Sequence, residues 1–446
     1  MQKHGYSLRE VLKFTLPLVL MTLSFNLMFS VDRMVLARYS IDSMNAVSLA
    51  GNFVVITSFI AIVIAQMATV FVGQYNGLGE YKKTGWPVWQ MIYFSLMSLL
   101  FFVPCGLATE YIDIFPNLYR DERICYQKIV MISSGIPAIS SALSSFFIGR
   151  GQSTIVIIAV LIGNVINFCL DIALVFGVEG VVPPLGAKGA AIATVIGELA
   201  RVIILFALFL NKDNRFNCAT FDYKFRKRLF WDCVRTGFPI SLTKSLGLLA
   251  WFLLLLMFTS VSRDFATIES VLVSLWAVFA FFSEGVARAI SALTANLIGQ
   301  NNLKAVKKLL TLFLKLNMIV TLIFAIPLVI YQNIFFTFLD KLNGNIAHLY
   351  SDFSFVFCSL WITLFMDGIF YIVCGVLSAG GDTKFPMYVE QGATWLLIVL
   401  PTAAMYFSGT LRTIRATYVM IPAASCVNVV AIYFRYKKMK WFQRLV

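Results

Sequence analysis

Apolar runs long enough to cross a lipid bilayer recur from one end of this 446-residue chain to the other, as in Ile155–Val178 and Leu309–Ile330. A helix of about 20 apolar residues matches the hydrocarbon core of a bilayer, whereas a barrel strand needs about ten residues in strict alternation. In lipid every backbone N–H and C=O has to be satisfied internally, so runs of this length select helices. Composition agrees. Hydrophobic residues make up 59% and charged residues 13%, against about 25% charged in an ordinary soluble domain. Too few polar side chains remain to cover a water-facing surface.

The runs predict an all-α, polytopic chain of twelve transmembrane helices, near residues 11–37, 44–72, 86–108, 127–149, 154–178, 187–210, 237–259, 270–298, 309–334, 350–378, 386–408 and 413–434. The basic start runs into an apolar stretch from Phe14 that has no small-residue cleavage site, so it reads as the first span and not as a cleavable signal. Charge alternates between loops. One set carries Lys82, Lys83, Arg150, the cluster from Lys212 to Arg235, and Lys304, Lys307, Lys308 and Lys384, joined by Lys3, Arg9 and the tail from Arg435 to Arg444. The other carries Glu110, Asp113, Asp121, Glu122, Asp264, Glu269, Asp340 and Asp352. By the positive-inside rule the termini and central loop are expected in the cytoplasm. The net charge of +14 thus sits on one set of connections and does not point to nucleic acid, and a lipid-headgroup patch at the basic cluster is compatible with it. Eight cysteines occur without a C-x-x-C pair. Cys169, Cys358, Cys374 and Cys426 fall inside apolar runs as small hydrophobes, and neither a disulfide nor a metal site is expected.

Internal similarity divides the chain. Val72-Gly-Gln-Tyr-Asn76 is echoed by Ile298-Gly-Gln-Asn-Asn302, an offset of 299 − 73 = 226. Gly149-Arg-Gly-Gln-Ser153 is echoed by Ala379-Gly-Gly-Asp-Thr383 at 381 − 151 = 230, and Pro17 by Pro239 at 239 − 17 = 222. Equivalent positions are six helices apart, so the halves share one orientation, as in transporters whose parallel repeats are related by an axis along the membrane normal. The expected organisation is a six-helix lobe over 1–210, a basic interlobe loop acting as hinge over 211–235, and a second six-helix lobe over 236–446.

Acids at lipid depth cost several kcal/mol and mark functional or paired positions. They are Asp32 in the first span, Asp171 in the fifth, Glu198 in the sixth, Glu284 in the eighth, Asp367 in the tenth and Glu390 in the eleventh. Asn167 and Asp171 are four residues apart, which sets an amide oxygen and a carboxylate on one helix face. A sodium ion would want further oxygens, for which the Thr194 hydroxyl suits. A proton relay needs only the carboxylate, and an interhelical hydrogen bond is the plainer alternative. The acids are not repeated: at an offset of 230 Asn167 and Asp171 map to Leu397 and Pro401, and at 222 Asp32 maps to Leu254. A role in holding the fold would be expected in both halves, so the asymmetry favours function. Glu284 and Arg288, four apart, are expected to pair locally. Lys244 either faces a cavity, where it would pair with Asp367 or hold an anion, or snorkels to water at the cytoplasmic mouth. Pro17, Pro137, Pro239, Pro327 and Pro401 should each disturb their spans.

Pro17 with Asp32, Gly-Gln after the second span, Ile148-Gly-Arg-Gly-Gln-Ser153, Asn164-Val-Ile-Asn-Phe-Cys-Leu-Asp171, Leu185-Gly-Ala-Lys-Gly-Ala-Ala-Ile-Ala-Thr194, and Asp367 followed by Gly375 and Ser378-Ala-Gly-Gly-Asp-Thr383 stand in order along nearly the whole chain. In this set the sequence resembles the multidrug and toxic-compound extrusion (MATE) transporters. The resemblance implies a V-shaped bundle of two lobes and an antiporter that couples inward H+ or Na+ flow to efflux of organic, lipophilic or cationic compounds. Asp32, Asn167, Asp171 and Thr194 match the family's cation site in the first lobe, and Asp367 matches an acid of one branch. That branch has a glutamate after the seventh-span proline, where this chain reads Pro239-Ile-Ser-Leu-Thr-Lys-Ser-Leu-Gly247, so coupling is expected through the first lobe. Asp367 and Lys244 remain candidates for a second-lobe substrate or ion site.

No cofactor beyond H+ or Na+ is expected, and the partners are small organic substrates and membrane lipid. The protein should be a monomer in the inner membrane of the cell. A lipid-linked oligosaccharide flippase of the same wider superfamily is the alternative, but it would line its cavity with bases for diphosphate. An enzyme is not expected. The histidines are His4 and His348, with no H-E-x-x-H and no Gly-x-Ser-x-Gly.

Overall fold

The computed structural model describes residues 6–111, 119–343, 347–442 and 444–446. Lys3, His4 and Asp113 lie outside them. Among the described residues seventeen α-helices follow one another: α1 Leu8–Tyr39, α2 Ile41–Gln66, α3 Ala68–Leu78, α4 Gly85–Ala108, α5 Arg120–Ile132, α6 Gly135–Gly149, α7 Ser153–Val175, α8 Gly186–Phe209, α9 Lys212–Cys218, α10 Lys227–Val261, α11 Arg263–Gly299, α12 Leu303–Ala325, α13 Gln332–Asn343, α14 Tyr350–Ala379, α15 Lys384–Ala393, α16 Leu400–Phe407 and α17 Arg415–Lys437. Among the described residues, eleven helical segments are long and apolar enough to span a bilayer. The remaining predicted span, 386–408, is helical but divided into α15, a π-helical segment Thr394–Val399 and α16. Twelve spans therefore hold only if this composite rod is counted as one.

Proline and serine explain the interruptions. Pro401 has no N–H for the Leu397 carbonyl, and in the turn before it the Leu400 N–H reaches back five residues to Trp395. Pro327 sits in a second π segment, Ile326–Ile330, closed by the Tyr331 N–H on the Ile326 carbonyl at 2.8 Å. Pro137 cannot serve the Ser133 carbonyl, and the Ile136 N–H takes it at 2.9 Å, which separates α5 from α6. By contrast Pro17 and Pro239 lie within unbroken α1 and α10.

The chain forms two compact units. One comprises Arg9–Ser245 with Ala292–Asn302 and Arg444–Val446; the other comprises Leu246–Ser291 and Leu303–Gln443. In the first, α2 packs on α5 and α6, α4 on α5 and α6, and α7 along α8. There α3 crosses the last turns of α11 at glycines: a Cβ on Gly77 would lie 2.0 Å from the Asn296 carbonyl oxygen. Asn76 Nδ2 donates to Asn296 Oδ1 at 2.5 Å, and Asn296 Nδ2 donates to the Gly149 carbonyl at 2.8 Å. Gly73 and Gly299, which mark the repeat, lie at the same crossing, where a Cβ on Gly73 would meet Ala295 Cβ at 2.9 Å and one on Gly299 would meet the Gln74 carbonyl oxygen at 2.4 Å; such close approach is the device by which membrane helices gain dispersion contact. In the second unit, α14 packs on α12 and α17, and Phe258, Phe279, Phe353, Phe357 and Leu364 are buried in its core. Leu16, Leu100, Phe101, Ile203 and Ile323 are each more than half exposed, as suits side chains facing acyl chains.

The stretch 211–235, expected as a basic interlobe loop and hinge, carries regular structure. It holds α9, a strap over 219–226 and the start of α10. Trp89 Nε1 donates to the Thr220 carbonyl at 2.8 Å, Trp86 Nε1 to Asp222 Oδ2 at 2.9 Å, and Gln90 Nε2 to the Lys224 carbonyl at 3.1 Å. The Arg226 N–H returns a bond to Gln90 Oε1 at 2.8 Å, and its guanidinium stacks 3.8 Å from the Trp86 ring. Partial burial disfavours charge on Asp222, but the hydrogen bond and charge of Arg226 outweigh it and hold this carboxyl below its ordinary range.

Candidate functional site

The site in the first unit is set by how closely α7 and α8 approach. A Cβ on Gly197 would meet Asn167 Cβ at 2.8 Å and the Gly163 carbonyl oxygen at 2.9 Å, and one on Gly163 would meet the Gly197 carbonyl at 2.9 Å. This backbone contact seats Asn167, Asp171 and Thr194 in the interior, with 1%, 0% and 6% of their surface exposed. Asn164 Nδ2 donates to the Ser24 carbonyl at 3.1 Å and ties α7 to α1. Asp32, 2% exposed, comes from α1.

All four residues meet. The Asp32 and Asp171 carboxyl groups face each other closely enough to hydrogen bond once a proton lies between them, and the Asn167 amide lies beside Asp171. Thr194 Oγ1 donates to the Ala190 carbonyl at 2.9 Å and reaches Asp32 Oδ2 at 3.4 Å, so its contact with the acid is the weaker of the two. Asp32 Oδ1, both Asp171 oxygens and Asn167 Nδ2 are sealed from solvent and have no partner of good geometry. Buried polar atoms are nearly always satisfied. Two ionised carboxylates in contact repel, and each leaves oxygens that cost free energy until something positive joins them. The donor set of two carboxylates, an amide and a hydroxyl suits a proton or a hard monovalent cation.

Tyr126 of α5 completes the site, and no sequence signal marked it. Its ring is 1% exposed, packed with Leu36, Val47, Ala50, Val175 and Ala191, and its hydroxyl is within reach of Thr194. Tyr126 and Thr194 also line a narrow cleft, together with Met28, Phe29, Ser58, Phe59, Ser133, Ser134 and Glu198. The α5–α6 break therefore opens onto this cleft through Ser133 and Ser134. Among the described residues lining it there is no lysine or arginine. Glu198 is ion-paired to Arg201, both deeply buried on α8.

The remaining candidates are dispersed. Asp367 is half-buried on α14, where Ser425 Oγ donates to its Oδ1 at 2.7 Å and Trp276 lies within hydrogen-bonding reach. Lys244 is half-buried on α10. Arg288 donates to Glu284 at 2.7 Å, the expected local pair. Glu390 is approached by the Tyr371 hydroxyl at 3.5 Å. Glu269, expected in an outward loop, is instead 1% exposed inside α11. That helix begins seven residues before the predicted start at 270, because Ser262 caps it by accepting from the Phe265 N–H at 3.1 Å.

Comparison with known proteins bears on the whole chain. The MatE family model matches it twice, at residues 17–173 and 239–403. The starts differ by 239 − 17 = 222 and the ends by 403 − 173 = 230, the offsets of the proline pair and of the second glycine pair. The probable multidrug resistance protein YoeA of Bacillus subtilis is 24% identical over 98% of this chain and 96% of its own length. The probable multidrug resistance protein NorM of Thermotoga maritima is 24% identical over 52% of this chain and 51% of its own length. Among solved structures, a MOP superfamily transporter from Pyrococcus furiosus, described as having a binding pocket of reverse polarity, superposes with a TM-score of 0.81 at 15% identity over 98% of this chain and 97% of that one. The eukaryotic MATE transporter AtDTX14 gives 0.80 at 18% identity over 97% and 96%.

Proposed function

The chain belongs to the MatE family of multi-pass membrane transporters, and from that premise we propose that it is an antiporter in which inward H+ or Na+ flow through Asp32 and Asp171 drives efflux of lipophilic or cationic organic compounds. The observation that carries this reading is the facing pair of sealed carboxyl groups whose oxygens lack partners. The pair is stable only when a proton or cation joins it, and unstable when that charge leaves. Tyr126 and Thr194 belong to both the acid site and the cleft, so a change of charge at the acids is felt by whatever occupies the cleft. Each ligand then moves the transporter only by its difference in affinity between two states.

Phe29, Phe59 and Tyr126 offer ring faces, and Ser58, Ser133 and Ser134 offer hydroxyls, within an otherwise apolar wall. Such a cleft suits a lipophilic cation. Diphosphate-linked cargo would need bases that the lining does not present, and the named relatives are multidrug resistance proteins, so the flippase alternative is the weaker. Asp367 and Lys244 enter as separate secondary candidates, to be tested by D367N and K244Q. The loop charges support cytoplasmic termini, and cysteine labelling at Ser7 and Arg444 from either side of the membrane checks that orientation.

The decisive experiment is dye efflux from reconstituted vesicles under an imposed pH or sodium gradient. D32N and D171N should each abolish the gradient-driven component while the protein still inserts in the membrane. Wild-type rates from both variants would refute the assignment.

A further inference from the structure

Glu269 sits in the second unit and takes no part in the site above. Its side chain is 1% exposed on α11 between Ile268 and Leu272, which belong to the apolar core with Phe258, Phe265, Val356, Leu360 and Ile414. The Tyr418 hydroxyl of α17 donates to its Oε2 at 2.6 Å, while Oε1 is sealed and has no partner. Tyr418 is itself 4% exposed, and its backbone carbonyl accepts from Ser359 of α14.

The nearby ion pairs are formed between other residues. Near this end of α11 stand Arg263 and Asp264, and Asp264 is 3.4 Å from His348. On α14 and α17, Asp352 and Arg415 pair with each other at 2.5 Å. Asp340 lies on α13, and α10 contributes Ala250, Leu254 and Phe258 to this core. Among the described residues, no base is within ion-pair distance of Glu269. A carboxylate buried with one hydrogen bond and no counter-charge costs several kcal/mol, so burial without a partner is tolerated where the group holds a proton or has a use for losing one. One carboxyl and one phenol are too few oxygens for a metal cation.

We propose that Glu269, with Tyr418 as its hydrogen-bonding partner, is a second proton-exchange site of this transporter, built into the unit that lacks the Asp32–Asp171 pair. The reaction is loss and recovery of one proton at the carboxyl, with Tyr418 donating to the oxygen that carries the charge. Glu269 stands six residues from the start of α11, about 9 Å along its axis, so the exposed end at Asp264 and His348 is the short route for the proton. The inference rests on the gradient-driven reading, because a proton site serves a transporter whose cycle moves protons.

The test separates the two. In lipid nanodiscs, infrared difference spectra after a pH jump are recorded in a D32N/D171N background, which removes the facing acid pair of the first unit. A carboxylic C=O band should titrate, vanish in E269Q, and move to higher frequency in Y418F as the hydrogen bond is lost. In vesicles of otherwise wild-type protein, E269Q should lower the number of protons moved per dye molecule exported. E269Q keeps an acceptor for Tyr418, so a purely structural role predicts an unchanged proton count, and that result, or a C=O band indifferent to E269Q, overturns the proposal. Wild-type efflux that ignores both the pH gradient and the sodium gradient while the band still titrates would sink the antiport reading and leave the proton site standing.

Discussion

Replacing Asp171 by Asn should make the protein more stable and inactive at once. The wild-type site holds Asp32 Oδ1, both Asp171 oxygens and Asn167 Nδ2 without partners. An amide at position 171 supplies an N–H for Asp32 and keeps a carbonyl for Asn167 Nδ2, so two bonds become available to groups already in place. A bond to a charged acceptor contributes about 1.5–3 kcal/mol and a neutral one about 1 kcal/mol. After rotamer adjustment, a net gain of about 1–3 kcal/mol is expected. The measurement is the apparent midpoint of thermal unfolding in detergent, paired with gradient-driven dye efflux in vesicles. Efflux should fall to the level of empty vesicles while the midpoint rises. A variant that is destabilised and also inactive would show that Asp171 holds the helices together, and the coupling argument would fail.

Gly77→Ala places a methyl group 2.0 Å from a backbone oxygen at Asn296 that cannot swing aside; a loss of at least about 3 kcal/mol and little folded protein on gel filtration are expected. Breaking the Glu198–Arg201 pair with Arg201→Leu should destabilise by about 3–5 kcal/mol, and adding Glu198→Leu should recover most of it; a double variant as unstable as the single one, judged by the same unfolding midpoint, would mean that packing and not charge is lost. Asp222 is depressed relative to its unfolded value, so its contribution is present above the ordinary carboxylate range and disappears only as pH falls through the lower folded value. Hydrogen exchange over 219–226 should therefore be unaffected down to the ordinary range near about pH 4 and rise below it, while Asp222→Ala should exchange several-fold faster at neutral pH.

What the sequence made legible follows from cost. Acids inside apolar runs are expensive, so Asp32 and Asp171 stood out, and the spacing of Asn167 and Asp171 on one helix put two donors on a common face. That α1 and α8 would bring Asp32 and Thr194 to the same point is a matter of helix packing, which no single-helix periodicity encodes. Tyr126 escaped because the apolar window placed the fourth span at 127–149 and left this residue just outside it, whereas the helix starts at Arg120. The twelve-residue helix α13 escaped because it is too short to read as a span. Glu269 was misplaced for a related reason: apolar windows end at the first charged residues, whereas the helix continues to Arg263.

The strap over 219–226 gives the midpoint of the chain an owner. Two tryptophans, a glutamine and a tyrosine of α4 grip it, so what looks from sequence like slack cable between twin modules is a clasp fastened to the first of them. A protein divided after Arg226 would leave that clasp closed on the leading fragment, and the trailing fragment would begin as a bare rod at Lys227.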